Sequence, residues 1–106
     1  MLALGDWSVL AVVGELDLFS YPLLRDRVRA VTMPGRSVAL DLSGVSFVDS
    51  SGLGAVVGAR THVRDSGGRF AVIAPPNSPL MRLLSLTGLD QVLPSHASRE
   101  ELEVSA

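Results

Sequence analysis

Apolar runs rich in β-branched residues alternate along this chain with longer segments of helical periodicity. The runs Ser8–Gly14, Ser37–Leu42 and Arg69–Ala74 predict three strands. Because helix-length segments separate them, consecutive strands are expected to pair in parallel through right-handed crossovers. Two shorter strands are predicted at Met1–Leu4 and Val92–Leu93. The alternation therefore predicts an α/β fold, with a small, mostly parallel or mixed β-sheet packed against helices.

Serine residues that precede the helical segments predict where the helices begin, because a serine oxygen can accept a hydrogen bond from a first-turn backbone N–H. The predicted N-caps are Ser20, Ser50, Ser78 and Ser98. Ser98 and Glu101 have the capping-box spacing and predict a short C-terminal helix over about 98–104. Gly88 predicts the end of the preceding helix. With 106 residues, the chain is expected to be one domain over 1–106, with a core over about 8–93.

The chain lacks side chains that many catalytic sites require. It contains neither cysteine nor lysine, which excludes thiolate catalysis, thiolate metal sites and Schiff-base chemistry. His62 and His96 are far apart in the sequence and do not have zinc-hydrolase spacing. The net charge of −2 predicts no nucleic-acid surface, and no apolar run approaches the roughly 20 residues of a membrane span. These features predict a cytoplasmic binding or regulatory domain without a cofactor, rather than an enzyme.

The most informative stretch is Asp-Ser-Ser-Gly-Leu-Gly at 49–54, between a strand-like segment and a helix. In α/β folds this junction is where ligands bind and chemistry occurs. We assign Ser50 to the N-cap and Ser51 to the first helical turn, and the glycines would let another chain approach the backbone closely. A polar helix start whose small residues serve only packing is an equally good interpretation of the pattern.

A second polar segment, Gly-Glu-Leu-Asp at 14–17, places two carboxylates where the first long strand ends. An acid just before a helix is stabilised by the positive end of the helix dipole, which is the interpretation we favour for Asp17. Acid–base catalysis by the two carboxylates would need a substrate pocket that nothing else in the sequence indicates.

Three segments of the chain resemble the STAS domain and, more narrowly, the bacterial anti-sigma factor antagonists. They are Gly-Glu-Leu-Asp at 14–17, the run 41–54 that contains the serine pair, and Thr-Gly-Leu-Asp at 87–90. The resemblance covers about residues 8–93. In that family the second serine of the pair is phosphorylated, and the matching residue here is Ser51. The strand-end acid of the family matches Asp17, and the acid that opens the serine motif matches Asp49.

The resemblance implies a protein-interaction switch that is not an enzyme. The unphosphorylated chain would bind an anti-sigma factor that is also a serine kinase, and so release the sigma factor. Phosphorylation of Ser51 would switch the chain off, and a metal-dependent serine phosphatase would restore it. The residues expected around the phosphoacceptor are Asp17, Asp49, Ser50, Gly52, Leu53 and Gly54. A flat surface patch is expected from the small residues Ser50, Ser51, Gly52 and Ala55.

The free chain is expected to be a monomer that binds neither nucleic acid nor membranes. Two other functions are compatible with the sequence. The chain could be a STAS subunit of a larger transport or stress-signalling complex in which the serine is silent. It could also be a small-molecule or nucleotide binder with weak hydrolase activity.

Overall fold

A five-stranded mixed β-sheet lies at the centre of the computed structural model, which describes the backbone of residues 1–105 and the side chains of residues 1–102. Ala106, the last residue of the predicted domain, lies outside the described residues. In spatial order the strands are β1 (Leu2–Leu4), β2 (Trp7–Leu16), β3 (Ser37–Val48), β4 (Phe70–Ile73) and β5 (Ser95–His96). The first pair is antiparallel and the other neighbours are parallel. The predicted α/β fold, with a mostly parallel sheet, is confirmed.

Four helices cover the two faces of this sheet unequally. They are α1 (Tyr21–Val31), α2 (Ser50–Asp65), α3 (Pro79–Thr87) and α4 (Arg99–Ser105). The first three pack on one face and form the main hydrophobic core with it. On the other face, Leu102 of α4 packs into a smaller cluster with Trp7 and Val9. Since the side chains of a strand alternate between faces, Val38 and Leu40 of β3 enter the main core while Ala39 enters the smaller one.

Strand β3 is longer than predicted, because Ser43-Gly44 looks like a turn in the sequence and is a strand irregularity in the fold. The pairing of β2 with β3 shifts register between Ala11 and Val13 and again between Gly14 and Glu15, and it extends to the pair Leu16–Val48. Such a bulge adds a residue without ending the strand. Its consequence is that β2 and β3 reach the same edge of the sheet together.

The predicted strand at Val92–Leu93 is wrong. Leu93 is buried in the main core, and the residues before it form a 3₁₀ turn, Leu89–Gln91. Pairing with β4 begins later, where the N–H of Val72 donates to the carbonyl of Pro94 at 2.9 Å. The apolar character of this segment therefore reflects burial of a side chain rather than strand pairing.

Two of the four predicted serine N-caps make the expected side-chain hydrogen bond. The Ser78 Oγ accepts a hydrogen bond from the N–H of Met81 at 3.3 Å, and the Ser98 Oγ accepts one from the N–H of Glu101 at 3.3 Å. Gly88 ends α3 with a φ of 77°, as its position in the sequence predicts. Ser20 is the N-cap residue of α1, as predicted, but makes no side-chain cap bond, and the assignment of Ser50 as a cap is wrong, for reasons that concern the candidate site.

An ion pair connects α4 to the sheet. The Nε of Arg99 donates to Oδ2 of Asp41 at 2.7 Å, and the backbone N–H of Ser43 donates to the other carboxylate oxygen. Burial raises the pKa of Asp41, but the hydrogen bonds from Ser43 and the charge and hydrogen bond of Arg99 lower it by more, so the pKa lies below its ordinary value.

Among the described residues, no helix has the length and apolar character needed to cross a membrane.

Candidate functional site

The first turn of α2 lies directly against the end of β2. The N–H of Asp49 donates to the carbonyl of Leu16 at 3.1 Å. A Cβ placed on Gly52 would lie 2.1 Å from the same carbonyl oxygen, so no larger residue fits without moving backbone. Gly52 and Leu53 are both buried, and Leu53 belongs to the main core. These two residues of the predicted site therefore position the helix rather than contribute surface.

The N-cap of α2 is Asp49, and the assignment of Ser50 to that position is wrong. Asp49 has the extended backbone of a cap residue, and its Oδ1 accepts a hydrogen bond from the N–H of Gly52 at 2.9 Å. The contact between its own N–H and Leu16 holds Asp49 in line with β3, so the helix begins one residue after it. A carboxylate at this position also interacts favourably with the positive end of the helix dipole.

The two serine side chains at the start of α2 differ in exposure. Ser50 is exposed and Ser51 is half-buried in the first turn, where the sequence placed it. Within the described side chains, neither hydroxyl has a hydrogen-bond partner. Since Asp49 is the cap, capping occupies neither hydroxyl and does not distinguish Ser50 from Ser51 as a phosphate acceptor.

Asp17 builds a tight turn between β2 and α1. Its Oδ1 accepts hydrogen bonds from the N–H groups of Phe19 and Ser20, both at 3.0 Å, and the Ser20 Oγ accepts one from the N–H of Asp17 at 2.8 Å. Ser20 is the N-cap residue of α1, as predicted, but its side chain is used in this turn and makes no cap hydrogen bond to the helix. The carboxylate of Asp17 thus has a structural role at the helix start.

This turn displays two large apolar side chains that the sequence analysis did not single out. Leu18 is 66% exposed and Phe19 is 89% exposed. Val13 and Leu23, also exposed, line one shallow groove together with Leu16. Adjacent large apolar residues between the turn-forming Asp17 and Ser20 are the sequence signal that could have identified this surface.

The small residues of α2 that face solvent differ from those predicted. Gly52 and Ala55 are buried and cannot belong to a surface patch. Ser50, Gly54 and Gly58 are exposed and lie four positions apart, on one side of the helix. A Cβ placed on Gly54 or Gly58 would meet no other atom within 4 Å. This exposed small-residue face of Ser50, Gly54 and Gly58 leaves the helix backbone open to close approach by another chain.

The arrangement combines free hydroxyls, a neighbouring carboxylate and an accessible helix surface. Ser51 lies in the first turn, where backbone N–H groups and the dipole favour negative charge. Asp49 and Asp17 are committed to capping and turn formation by the hydrogen bonds described above. Within the described residues, no three His, Asp or Glu side chains lie close enough together to hold a metal ion. The first turn of α2 therefore combines unbonded hydroxyls with a backbone that favours a negatively charged group.

Comparisons with known proteins agree with this description. The family described as "Mlab, STAS domain" matches residues 3–94. An anti-sigma-B factor antagonist from Bacillus subtilis is 33% identical over 84% of this chain and 81% of that protein. The crystal structure of an anti-sigma factor antagonist from Mycobacterium paratuberculosis is 29% identical and superposes with a TM-score of 0.82, covering 95% of this chain and 86% of that one. The Bacillus cell fate determinant SpoIIAA, in its phosphorylated form, is 25% identical with a TM-score of 0.68, covering 100% and 96% of the two chains.

Proposed function

The chain belongs to the STAS domain family and, within it, to the anti-sigma factor antagonists, and from this membership we propose how its serine site works. The unphosphorylated chain binds an anti-sigma factor that is also a serine kinase, and this binding releases a sigma factor. The kinase phosphorylates Ser51, and the phosphorylated chain no longer binds. A serine phosphatase restores the active form. The chain itself is a monomeric cytoplasmic switch without catalytic activity.

The observation that carries this proposal is the pair of unbonded serine hydroxyls in the first turn of α2, beside the exposed small-residue face. A phosphate on Ser51 adds about −1.5 to −2 charges at neutral pH. In the first helical turn that charge meets unpaired N–H groups and the positive dipole end, so the fold tolerates it. Phosphorylation therefore acts on binding rather than on folding.

Loss of binding follows from what a partner must do at this surface. The absence of side chains at Gly54 and Gly58 allows a partner to pack closely on α2, which excludes water. A doubly charged phosphate at Ser51 would then have to be buried without a counter-charge, which is costly. The carboxylate of Asp49 two positions away adds like charge. A loss of about 3 kcal/mol corresponds to roughly a hundredfold weaker binding.

The phosphate acceptor is tested with a matched pair of variants, Ser51→Ala and Ser50→Ala. The protein is incubated with ATP and a serine kinase that copurifies with it, and the product is mapped by tandem mass spectrometry. We expect phosphate on Ser51, no labelling of Ser51→Ala, and normal labelling of Ser50→Ala. Because both hydroxyls are free, this experiment decides between them on kinase recognition alone. Phosphate on Ser50 would show that the acceptor is misassigned.

The switch is tested by calorimetry with the same kinase. We expect Ser51→Asp to bind at least about a hundredfold more weakly than the unmodified chain while its melting temperature stays within about 2 °C. Ser51→Ala should bind like the unmodified chain. A Ser51→Asp variant that unfolds early would mean that the charge disrupts the helix, and one that binds tightly would mean that phosphorylation does not control this interface.

A second candidate function comes from the description of the matched family, which names Mlab. In that case the chain is a STAS subunit of a larger transport complex in which the serine is silent. The two candidates differ in the labelling experiment, because a silent serine takes no phosphate from any copurifying kinase. They differ also in calorimetry, where Ser51→Asp would then bind its partner subunits unchanged.

A further inference from the structure

A cavity of about 470 Å³ lies at the end of α2 that is remote from the serine pair. Trp7, the first residue of β2, and Phe70, the first residue of β4, form part of its wall. Arg60 and Arg64 contribute from the last turns of α2, and His96 contributes from β5. The volume falls within the range of sites that bind small molecules.

The wall of this cavity carries basic side chains and no acidic ones. Three arginines, Arg60, Arg64 and Arg69, line the cavity, and no Asp or Glu does. Within the described side chains, none of these three guanidinium groups has an ion-pair or hydrogen-bond partner. In contrast, Arg99 forms an ion pair with Asp41, and Arg36 donates hydrogen bonds to Ser8 and to the Trp7 carbonyl. Three uncompensated cations around one cavity are unusual in a chain whose net charge is −2.

The wall also offers apolar surface next to these charges. The guanidinium of Arg69 lies over the ring of Trp7, 5.0 Å from its centroid, which holds that cation against the aromatic surface. Val92 and Pro94 line the cavity as well. The indole Nε1–H of Trp7 is the one buried side-chain polar atom without a hydrogen-bond partner in the described part of the chain.

We propose that this cavity, the arginine pocket, binds a small organic anion that joins a phosphate or carboxylate group to a flat apolar body. The planar guanidinium groups of Arg60, Arg64 and Arg69 match the oxygens of such a group, and the exposed side chains of Val92 and Pro94 match the body. A purely inorganic anion would leave the apolar wall unused, and an uncharged aromatic molecule would leave the cations uncompensated. The pocket therefore selects for both properties in one ligand.

The arginine pocket is separate from the serine site. At a rise of about 1.5 Å per residue, Arg64 lies roughly 20 Å from Ser51 along the axis of α2. Binding in the pocket consequently does not depend on the phosphorylation proposed above, and each can be tested without the other.

The chain supplies its own reporter for this proposal, because Trp7 is its single tryptophan and lines the pocket. The purified protein is titrated with phenyl phosphate, benzoate, inorganic phosphate and benzyl alcohol while tryptophan fluorescence is followed. We expect a saturable change with phenyl phosphate or benzoate, at least about tenfold weaker binding of inorganic phosphate, and no saturation with benzyl alcohol. The stronger of the two aromatic anions identifies the preferred acidic group. The proposal is overturned if neither of them saturates or if benzyl alcohol binds as well as they do.

Variants show whether the arginines carry the binding. Arg60→Gln/Arg64→Gln should weaken the preferred anion at least about tenfold, and Arg82→Gln, an exposed residue of α3 outside this pocket, should not change it. Urea unfolding confirms that each variant is folded. If the double variant does not fold, Arg64→Gln alone serves the same purpose, because Arg64 is exposed. A folded variant that retains full affinity would show that the anion binds elsewhere.

Discussion

The two ends of α2 are attached to the sheet in the same way and present different chemistry. Near the N-terminal end, a Cβ on Gly52 would lie 2.1 Å from the carbonyl oxygen of Leu16. Just beyond the C-terminal end, a Cβ on Gly68 would lie 2.0 Å from the carbonyl oxygen of Arg36. At both ends a glycine thus permits backbone to pack directly on backbone. Yet the first end exposes hydroxyls and the second is surrounded by arginines.

This difference follows the helix dipole. The N-terminal end of α2 carries the carboxylate of Asp49 and would favour a phosphate on Ser51, whereas the last turns carry Arg60 and Arg64. The helix therefore separates, by its own length, an end that carries a carboxylate and two serine hydroxyls from an end that carries arginines. The attachment of α2 to the sheet and the chemistry of its two ends are set by different residues, so that each can be changed alone.

The largest effect is expected from Gly52→Ala. The added Cβ would have to move away from the Leu16 carbonyl by more than 1 Å, which breaks the hydrogen bond between Asp49 and Leu16. We expect a loss of about 3 kcal/mol or more in the free energy of unfolding, measured by urea denaturation.

Gly54→Ala is the matched control, two positions along the same helix. A Cβ there meets nothing within 4 Å, and alanine favours helix, so stability should rise by about 0.5–1 kcal/mol. Equal losses for the two variants would contradict the close packing of α2 on β2.

Gly68→Ala tests the other attachment. Its Cβ would meet the carbonyl of Arg36, next to the start of β3, and we expect a loss of about 2–3 kcal/mol by the same measurement. In conditions where the variant is still folded, labelling of Ser51 by a kinase should continue, because the serine pair lies at the far end of α2. Loss of labelling in the folded variant would mean that the two ends are not independent.

A smaller effect is expected at the helix cap. Asp49→Ala removes the acceptor for the N–H of Gly52 and should cost about 1 kcal/mol, whereas Ser50→Ala should change stability by only a few tenths of a kcal/mol. Both are measured by urea unfolding at neutral pH. The reverse order would restore Ser50 as the N-cap.

The smallest effect lies away from both ends of α2, at the ion pair between Asp41 and Arg99. Because the pKa of Asp41 is lower in the folded chain than its ordinary value of 3.8, the ionised carboxylate stabilises the fold. This contribution is complete above the ordinary pKa and is lost as the pH falls through the lower, folded pKa. Asp41→Asn should therefore cost about 1 kcal/mol or less at neutral pH.

The same variant should show a flatter loss of stability below about pH 4, measured by urea unfolding across acidic pH. Arg99→Gln should also make the loss of stability below about pH 4 less steep than in the unmodified chain. A pH dependence that is identical in Asp41→Asn and the unmodified chain would remove Asp41 as a source of the acid sensitivity. Neither variant should alter the serine site or the arginine pocket, which makes both of them controls for the experiments on α2.

Local patterns along the chain were sufficient for the order and type of the main elements. The apolar run Ser37–Leu42 correctly predicted the first half of β3, and Ser78 and Gly88 predicted the bounds of α3 correctly. These features depend on neighbours within a few positions, so one sequence contains all the information that they need.

Contacts between distant parts of the chain decided the rest. Asp49 replaced Ser50 as the N-cap because the carbonyl of Leu16, 33 positions earlier in the chain, holds the N–H of Asp49 in line with β3. The arginine pocket joins residues of β2, α2 and β5 that no spacing in the sequence relates. The periodicity of the sequence by itself determined which faces of the strands and helices are buried. Only the packed structure decided which acceptor each backbone N–H bonds to, because a donor bonds to whichever acceptor the fold brings within reach.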